Sequence, residues 1–133
     1  MTLRYLLDTN VLSALIREPQ GPIAQRIAAA GEETVCTSVL VAAELRYGAH
    51  KSGSVRLAER VDLILSTLEI LPLEVPADRH YGDIRQRLAR LGTPIGPNGL
   101  LIAAQARSLD LTVVTANERE FARVPGLRVE NWA

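Results

Sequence analysis

Hydrophobic and polar residues alternate in blocks along the chain, and these blocks predict strands separated by helices. Short apolar runs of the kind found in buried strands occupy residues 4–7, 34–37, 70–73, 112–115 and 127–130. Between them, apolar residues recur at helical spacing, as with Leu57, Val61 and Ile64. We therefore predict an α/β fold in three layers, with a mostly parallel, five-stranded sheet flanked by helices.

Capping and turn residues mark the ends of the helices. Ser38 and Pro76 are typical of helix starts, and Gly31 and Gly92 of helix ends. The predicted helices between the strands span residues 22–30, 38–50, 55–68, 76–91, 100–109 and 118–122. No linker long enough to divide the chain is present, so residues 1–133 are expected to form a single domain.

The first strand runs directly into an acidic residue. Asp8 follows the apolar residues 5–7, and a further helix is predicted to begin with Thr9 or Asn10 as its cap. In open α/β sheets, ligands bind beyond the carboxyl ends of the strands, which is where Asp8 would lie. The alternative is that Asp8 only caps the helix.

A second acid lies within an apolar helical segment. Glu44 is preceded by Val41, Ala42 and Ala43, and no residue one helical turn away has a charge that would neutralise it. Buried carboxylates are costly unless they are paired or bound to a metal. The alternative is an exposed glutamate on an amphipathic helix.

Two further segments have polar residues or glycines at the end of a predicted strand or at the start of a predicted helix. Thr115 and Asn117 follow the strand at residues 112–115, and oxygen ligands at two strand ends suit Mg²⁺ or Mn²⁺. The alternative is that either residue caps the next short turn. A glycine-rich turn at residues 94–99 leads into the next helix, whose start would favour an acid although none is present.

Composition and charge argue against a membrane protein and against a protein stabilised by disulfides. The chain has 133 residues, 47% of them apolar, and a formal net charge of zero, so no global field attracts nucleic acid. No apolar run reaches the ~20 residues that span a membrane, and no secretory signal is evident. With Cys36 as the single cysteine, no internal disulfide forms. We expect a cytoplasmic protein in which Cys36 is a core residue rather than a nucleophile.

Four motifs in order make the chain resemble the PIN-domain ribonucleases, specifically the VapC-type toxins of bacterial toxin–antitoxin pairs. The resemblance covers nearly the whole length and includes the ending at residues 124–132. The motifs are Leu-Asp-Thr-Asn-Val at 7–11, Ala-Glu-Leu-Arg-Tyr-Gly at 43–48, Ile-Gly-Pro-Asn-Gly-Leu-Leu-Ile-Ala-Ala at 95–104 and Val-Thr-Ala-Asn-Glu-Arg-Glu-Phe at 114–121.

The resemblance implies a set of site residues. Asp8 and Glu44 match the first two acidic metal ligands of the family, and Asn117 matches the fourth position. Thr9, Thr115 and Glu120 would surround these ligands. The cofactor implied is Mg²⁺ or Mn²⁺, and Arg46 and Arg119 are candidates for holding RNA phosphates, with solvated surface arginines as the alternative.

Gly99 departs from the family pattern. It occupies the position of the third metal-binding aspartate, and glycine has no side chain with which to bind a metal. Asn98 is not a simple substitute, because consecutive helical residues point about 100° apart. We therefore expect this form to be impaired or inactive on a scaffold that otherwise matches the toxins.

The resemblance also implies an activity and partners. The activity is metal-dependent endonucleolytic cleavage of RNA, with tRNA among the substrates, which arrests growth. The partners are a second copy of the chain and a small VapB-type antitoxin whose tail blocks the acidic pocket. Operator DNA would be bound only through the antitoxin. Leu63, which lies off the main apolar face of its helix, is consistent with an interface.

Two other classes of function fit the sequence less well or only in part. A phosphatase of the haloacid-dehalogenase type needs an aspartate where Asn10 stands, and a receiver domain needs a late lysine, whereas Lys51 is the only lysine. A non-catalytic binding module would keep the antitoxin and dimer contacts without the chemistry. His50 and His80 lie outside the motifs, and we interpret them as surface or partner-facing residues.

Overall fold

One parallel sheet organises the structure, a computed structural model that describes residues 2–133. Within these residues the strand order is β3-β2-β1-β4-β5, and every neighbouring pair is parallel. The strands are β1 (Tyr5–Leu7), β2 (Val35–Ser38), β3 (Glu69–Leu71), β4 (Thr112–Val114) and β5 (Val129–Glu130). The predicted α/β class and the five strands are confirmed.

Helices cover the sheet and connect its strands. They are α1 (Thr9–Arg17), α2 (Pro22–Ala30), α3 (Val39–Ser52), α4 (Val55–Ser66), α5 (Ala77–Leu91), α6 (Pro97–Ser108) and the single turn α7 (Glu118–Phe121), with a short 3-10 helix at Glu32–Thr34. None of the helices between residues 2 and 133 combines the length and apolarity needed to cross a membrane.

The core lies between the central strands and the helices packed on them. Leu6, Leu7 and Val113 are fully buried because β1 and β4 are covered on both faces. On α1, residues 11, 12, 15 and 16 are buried, which is the spacing of one helical face. Burial at this spacing fixes the rotation of α1 and leaves its other face free to line a pocket.

Some predicted boundaries were wrong by one to three residues. The helix predicted from residue 100 begins at Pro97, because proline is well suited to the first helical position and needs no hydrogen-bond acceptor there. The third strand begins at Glu69 rather than at residue 70, since Glu69 pairs with Cys36 of β2. Such pairing depends on the neighbouring strand and not on local sequence.

The path of the chain through the sheet creates a crevice at its centre. From β1 the chain moves to β2 and β3 on one side, and then crosses to β4 and β5 on the other. The connections that follow β1 and β4 therefore leave in opposite directions. In open α/β sheets this change of direction leaves a cleft at the carboxyl ends of the two strands.

Arg107 ties α6 to α5 and to the last turn of the chain. Its guanidinium donates to His80 Nδ1 at 2.8 Å, to Asp83 Oδ2 at 2.8 Å and to the carbonyl of Pro125 at 2.9 Å. His80 is therefore half-buried in an intramolecular contact rather than purely on the surface, whereas His50 is exposed. The Arg107 guanidinium beside Asp83 lowers the pKa of that carboxyl below its ordinary value.

Cys36 is inaccessible in β2. It has no exposed surface, its thiol donates to the carbonyl of Tyr5 at 3.4 Å, and burial raises its pKa to about 12. We expect no reaction with an aromatic disulfide reagent in the native protein at about pH 8, because both access and the thiolate are lacking. Full reaction is expected in guanidinium chloride. Rapid labelling of the native chain would contradict this description of the core.

Candidate metal centre

Asp8 joins the end of β1 to the start of α1. Its Oδ1 accepts a hydrogen bond from the backbone N–H of Thr9 at 2.8 Å, and its Oδ2 accepts from Thr115 Oγ1 at 2.9 Å. Asp8 is thus the N-cap of α1, and the prediction that Thr9 or Asn10 caps this helix was wrong. The backbone of Asp8 is extended, and its N–H donates to the carbonyl of Val114 as in a strand. Asp8 is therefore the last residue before the helix, and Thr9 is already the first helical residue.

Burial and a neighbouring negative charge make it unfavourable for Asp8 to be ionised unless a cation lies beside it. The side chain is 7% exposed, and burial raises its pKa above the ordinary value. The hydrogen bonds from Thr9 and Thr115 act in the opposite direction, and the carboxylate of Glu120 raises the pKa further. A positive ligand beside Asp8 would relieve both costs.

Glu44 approaches the same region from α3. It is half-buried, and its Oε2 accepts a hydrogen bond from Thr9 Oγ1 at 3.2 Å. None of the ion pairs within residues 2–133 includes Glu44. Its charge is therefore not neutralised by a neighbouring lysine or arginine, and Thr9 connects it to the backbone beside Asp8.

Asn117 and Glu120 complete the side of the site formed after β4. Asn117 Nδ2 donates to Glu120 Oε2 at 2.6 Å, which leaves the amide oxygen for another partner. The other carboxylate oxygen of Glu120 accepts from the backbone N–H of Gly96 at 3.1 Å. Glu120 thus connects α7 to the start of α6, where no side chain caps the helix. Thr115 orients this segment by accepting from the Asn117 N–H at 3.0 Å.

Gly99, the third residue of α6, faces the same space. A Cβ atom placed on it would lie 3.5 Å from Glu120 Oε1, 3.7 Å from Phe121 Cζ and 3.8 Å from Ile95 Cδ1. These are ordinary van der Waals contacts, so the backbone and its neighbours leave room for a side chain. A carboxylate at position 99 would project beside Glu120.

These residues share one cavity of about 450 Å³ at the carboxyl ends of β1 and β4. Its lining includes the predicted site residues Asp8, Thr9, Glu44, Gly99, Asn117 and Glu120. Thr115 is fully buried beneath Asp8. The structure therefore brings together residues from four separate segments of the chain.

The two predicted phosphate-binding arginines do not line this cavity. Arg46 lies on the groove between α3 and α4, where it forms an ion pair with Asp62. Arg119 is exposed on α7. The cavity is lined instead by three further residues of α1 to which the motifs gave no role in binding: Asn10, Ser13 and Arg17. Their spacing of three and four residues, which is that of one helical face, was the available signal.

The donor set suits a hard divalent cation. No group of three or more histidine, cysteine, aspartate or glutamate side chains converges in the part of the chain that the structure describes. Mg²⁺, however, is commonly held by one or two carboxylates and retains several waters. Asp8 and Glu44 supply two carboxylates and Asn117 an amide oxygen, so the residues present fit such an ion with fewer protein ligands than three acids would give.

The raised pKa of Asp8 predicts how stability depends on pH without divalent cations. The contribution of Asp8 to the free energy of unfolding is fully present when the pH is below 3.8, the ordinary pKa of an aspartate. This contribution is lost as the pH rises through the higher pKa that Asp8 has in the folded protein. In urea unfolding with EDTA, we expect the free energy of unfolding of the unmodified protein to fall, relative to that of the Asp8→Asn variant, as the pH rises across this window. This fall is about 1.4 kcal/mol per unit of pKa elevation. A difference between the two proteins that is independent of pH would contradict this.

Comparison with known proteins gives consistent matches. Residues 5–127 match the PIN domain family. The chain is 41% identical over 131 residues to the tRNA(fMet)-specific endonuclease VapC of Salmonella typhimurium, covering 98% of both chains.

Two solved structures are similar over the whole chain. In the complex of VapBC2 from Rickettsia felis with a promoter DNA fragment, the matching chain has a TM-score of 0.92 and 34% identity, with 98% of this chain and 100% of that chain covered. For DNA-bound VapBC from Salmonella typhimurium, the TM-score is 0.91 and the identity 40%, with coverage of 99% and 100%.

Proposed function

This chain belongs to the PIN-domain family, and on that premise we propose that it is the toxin of a VapBC-type pair. Its activity is metal-dependent endonucleolytic cleavage of RNA, with tRNA as the substrate class. The observation that carries the proposal is the cavity in which Asp8, Glu44 and Asn117 meet at the carboxyl ends of β1 and β4. The VapC relative named as a tRNA(fMet)-specific endonuclease supports the choice of substrate.

The residues of the site have distinct roles in this reaction. Asp8, Glu44 and Asn117 would hold a divalent cation such as Mg²⁺, which would lower the pKa of a bound water and offset negative charge on the phosphate. Thr115 and the N–H of Thr9 fix the orientation of the Asp8 carboxylate, and the Thr9 hydroxyl does the same for Glu44.

Gly99 limits this activity in the chain as it stands. Losing one group that merely supports a metal ligand typically costs about 10–100-fold in affinity or activity, and losing a ligand costs at least that. A second candidate function follows from the same observation. With Gly99, the protein acts as a non-catalytic binding module that retains its protein partners.

The partner chemistry follows from apolar surfaces on the helices. Leu15, Ala24 and Ile27 line a groove of about 250 Å³ between α1, α2 and the end of α4. An extended apolar segment of a VapB-type antitoxin would suit this groove, and a basic residue elsewhere in the antitoxin would suit the acidic cavity. Leu63 and Val55, both largely exposed on α4, offer apolar surface for contact with a second copy. Operator DNA would be contacted through the antitoxin.

Expression in a bacterial host tests this function. We expect the Gly99→Asp chain to arrest growth and to generate new RNA 5′ ends at one or a few tRNA positions, as read by sequencing. Co-expression of the cognate antitoxin should restore growth. Growth arrest without new RNA ends would overturn the nuclease assignment, and an equal effect of the unmodified chain would refute the proposed role of Gly99.

A further inference from the structure

One wall of the acidic cavity is formed by a polar face of α1. Asn10, Ser13 and Arg17 lie on this face, at successive spacings of three and four residues. Asn10 is already engaged, because its Oδ1 accepts from the backbone N–H of Ala116 at 3.0 Å. Arg17, the last residue of α1, lines the cavity and is exposed.

Arg17 differs in charge from the other ionisable residues of this cavity. The lining contains three carboxylates, on Asp8, Glu44 and Glu120, and Arg17 is its one cationic residue within residues 2–133. None of the ion pairs in that part of the chain engages Arg17. Its guanidinium is therefore available to a ligand that enters the cavity.

An RNA backbone that entered this cavity would meet charged side chains that are mostly negative. Three carboxylates repel a phosphodiester, and a divalent cation held by Asp8 and Glu44 offsets that repulsion only at the phosphate it touches. Within the described lining, Arg17 is the one positively charged side chain that could pair with a phosphate on either side. Arginine suits this pairing because its planar guanidinium donates two parallel hydrogen bonds to phosphate oxygens.

If Arg17 only stabilised the end of α1, its replacement would affect the protein in the same way as replacement of an arginine at the end of another helix. A cation in the last turn of a helix interacts favourably with the helix dipole, by about 0.3–1 kcal/mol. Arg90 has a similar position in the last turn of α5, is exposed and does not line the acidic cavity. It is therefore a matched control, because its removal costs the same charge and the same kind of helix contact.

We propose that Arg17 is a positioning residue that binds a backbone phosphate of the RNA substrate beside the reacting one. This inference rests on the proposed function. It assigns substrate binding to α1 rather than to Arg46, whose guanidinium is already paired with Asp62 on another groove.

Binding of RNA by the chain with Gly99 tests the assignment without cleavage. Fluorescence anisotropy of a labelled single-stranded oligouridylate would be measured in EDTA over a series of salt concentrations. The four proteins would be the unmodified chain, Arg17→Gln, Arg17→Lys and Arg90→Gln. For Arg17→Gln we expect roughly tenfold weaker binding at low salt, the loss typical of one hydrogen bond to a charged group. The slope of log affinity against log salt should fall in magnitude by about 0.7, the value for one phosphate on a single strand.

The two other variants separate a phosphate contact from general effects. Arg17→Lys should keep the slope, because the charge is retained, and Arg90→Gln should bind like the unmodified chain. Equal slopes for Arg17→Gln and Arg90→Gln, with clear binding by the unmodified chain, would overturn the assignment of Arg17 alone. No binding by the unmodified chain, together with no cleavage by Gly99→Asp, would overturn the proposed function and this inference with it.

Discussion

Replacing Gly99 by aspartate is expected to strengthen Mg²⁺ binding and RNA cleavage by at least about 10–100-fold, the range observed when weaker supporting groups are lost. A Cβ atom at this position would meet its nearest neighbours at 3.5–3.8 Å, so the first atom of the side chain fits without moving the backbone. The new carboxylate would lie beside Glu120, and the added repulsion would favour a cation in the cavity. Calorimetric titration with Mg²⁺ and a gel assay of labelled tRNA measure the two effects.

Two variants control for shape and for helix stability. Gly99→Asn has nearly the same shape as the aspartate variant but adds no charge, so it should restore little cleavage. Gly82→Asp places the same substitution within α5, where nothing lies within 4 Å of the added Cβ, and should leave Mg²⁺ binding unchanged. If Gly99→Asp binds no Mg²⁺ and leaves the RNA intact, the interpretation of position 99 as a lost ligand is wrong.

Asp8→Asn, made in the Gly99→Asp chain, is expected to abolish the restored cleavage, with a loss of at least about 100-fold. Asp8 is the most deeply buried of the three carboxylates, and both of its oxygens are oriented by donors, from Thr9 and Thr115. The asparagine keeps the size of the side chain and removes the negative charge that we propose binds the cation. Mg²⁺ titration and cleavage assays should show the two losses together.

Asp110→Asn is the matched control for this substitution. Asp110 is exposed, has a positive φ of 57° and pairs with Arg128, away from the cavity. Asparagine is tolerated in this backbone conformation, so the fold should be retained. Cleavage by the Asp110→Asn protein should match that of its parent. Full activity of the Asp8→Asn protein would mean that the cation, or the chemistry, lies elsewhere.

Much of the fold was predictable because it depends on local periodicity. The apolar runs of β1 and β4 are short and end at polar residues, as is typical of buried strands. The helix α2 begins and ends at the predicted residues, Pro22 and Ala30. The start of α6 was missed because the residues before it were interpreted as a turn. Pro97 was the signal that the helix begins there.

The residues that meet in the cavity were predictable, and their hydrogen-bond partners were less so. The positions of Asp8, Glu44 and Asn117 follow from strand ends and from the resemblance to the PIN-domain family, and the three line one cavity. The partner of each side chain was not predictable, because Thr9 contacts Glu44 across 35 positions of sequence. The surroundings of Arg46 and Arg17 were not predictable either, because they depend on how α3 and α1 pack against their neighbours.

The hydrogen bond between Thr115 and Asp8 joins residues 107 positions apart. It forms only after β4 has been inserted beside β1, which is possible only when most of the chain has left the ribosome. A prematurely terminated product would leave one edge of β1 uncovered and an oxygen of Asp8 without its donor. A product that stops before Thr115 therefore lacks the donor to Asp8 and the wall of the pocket formed by Asn117 and Glu120.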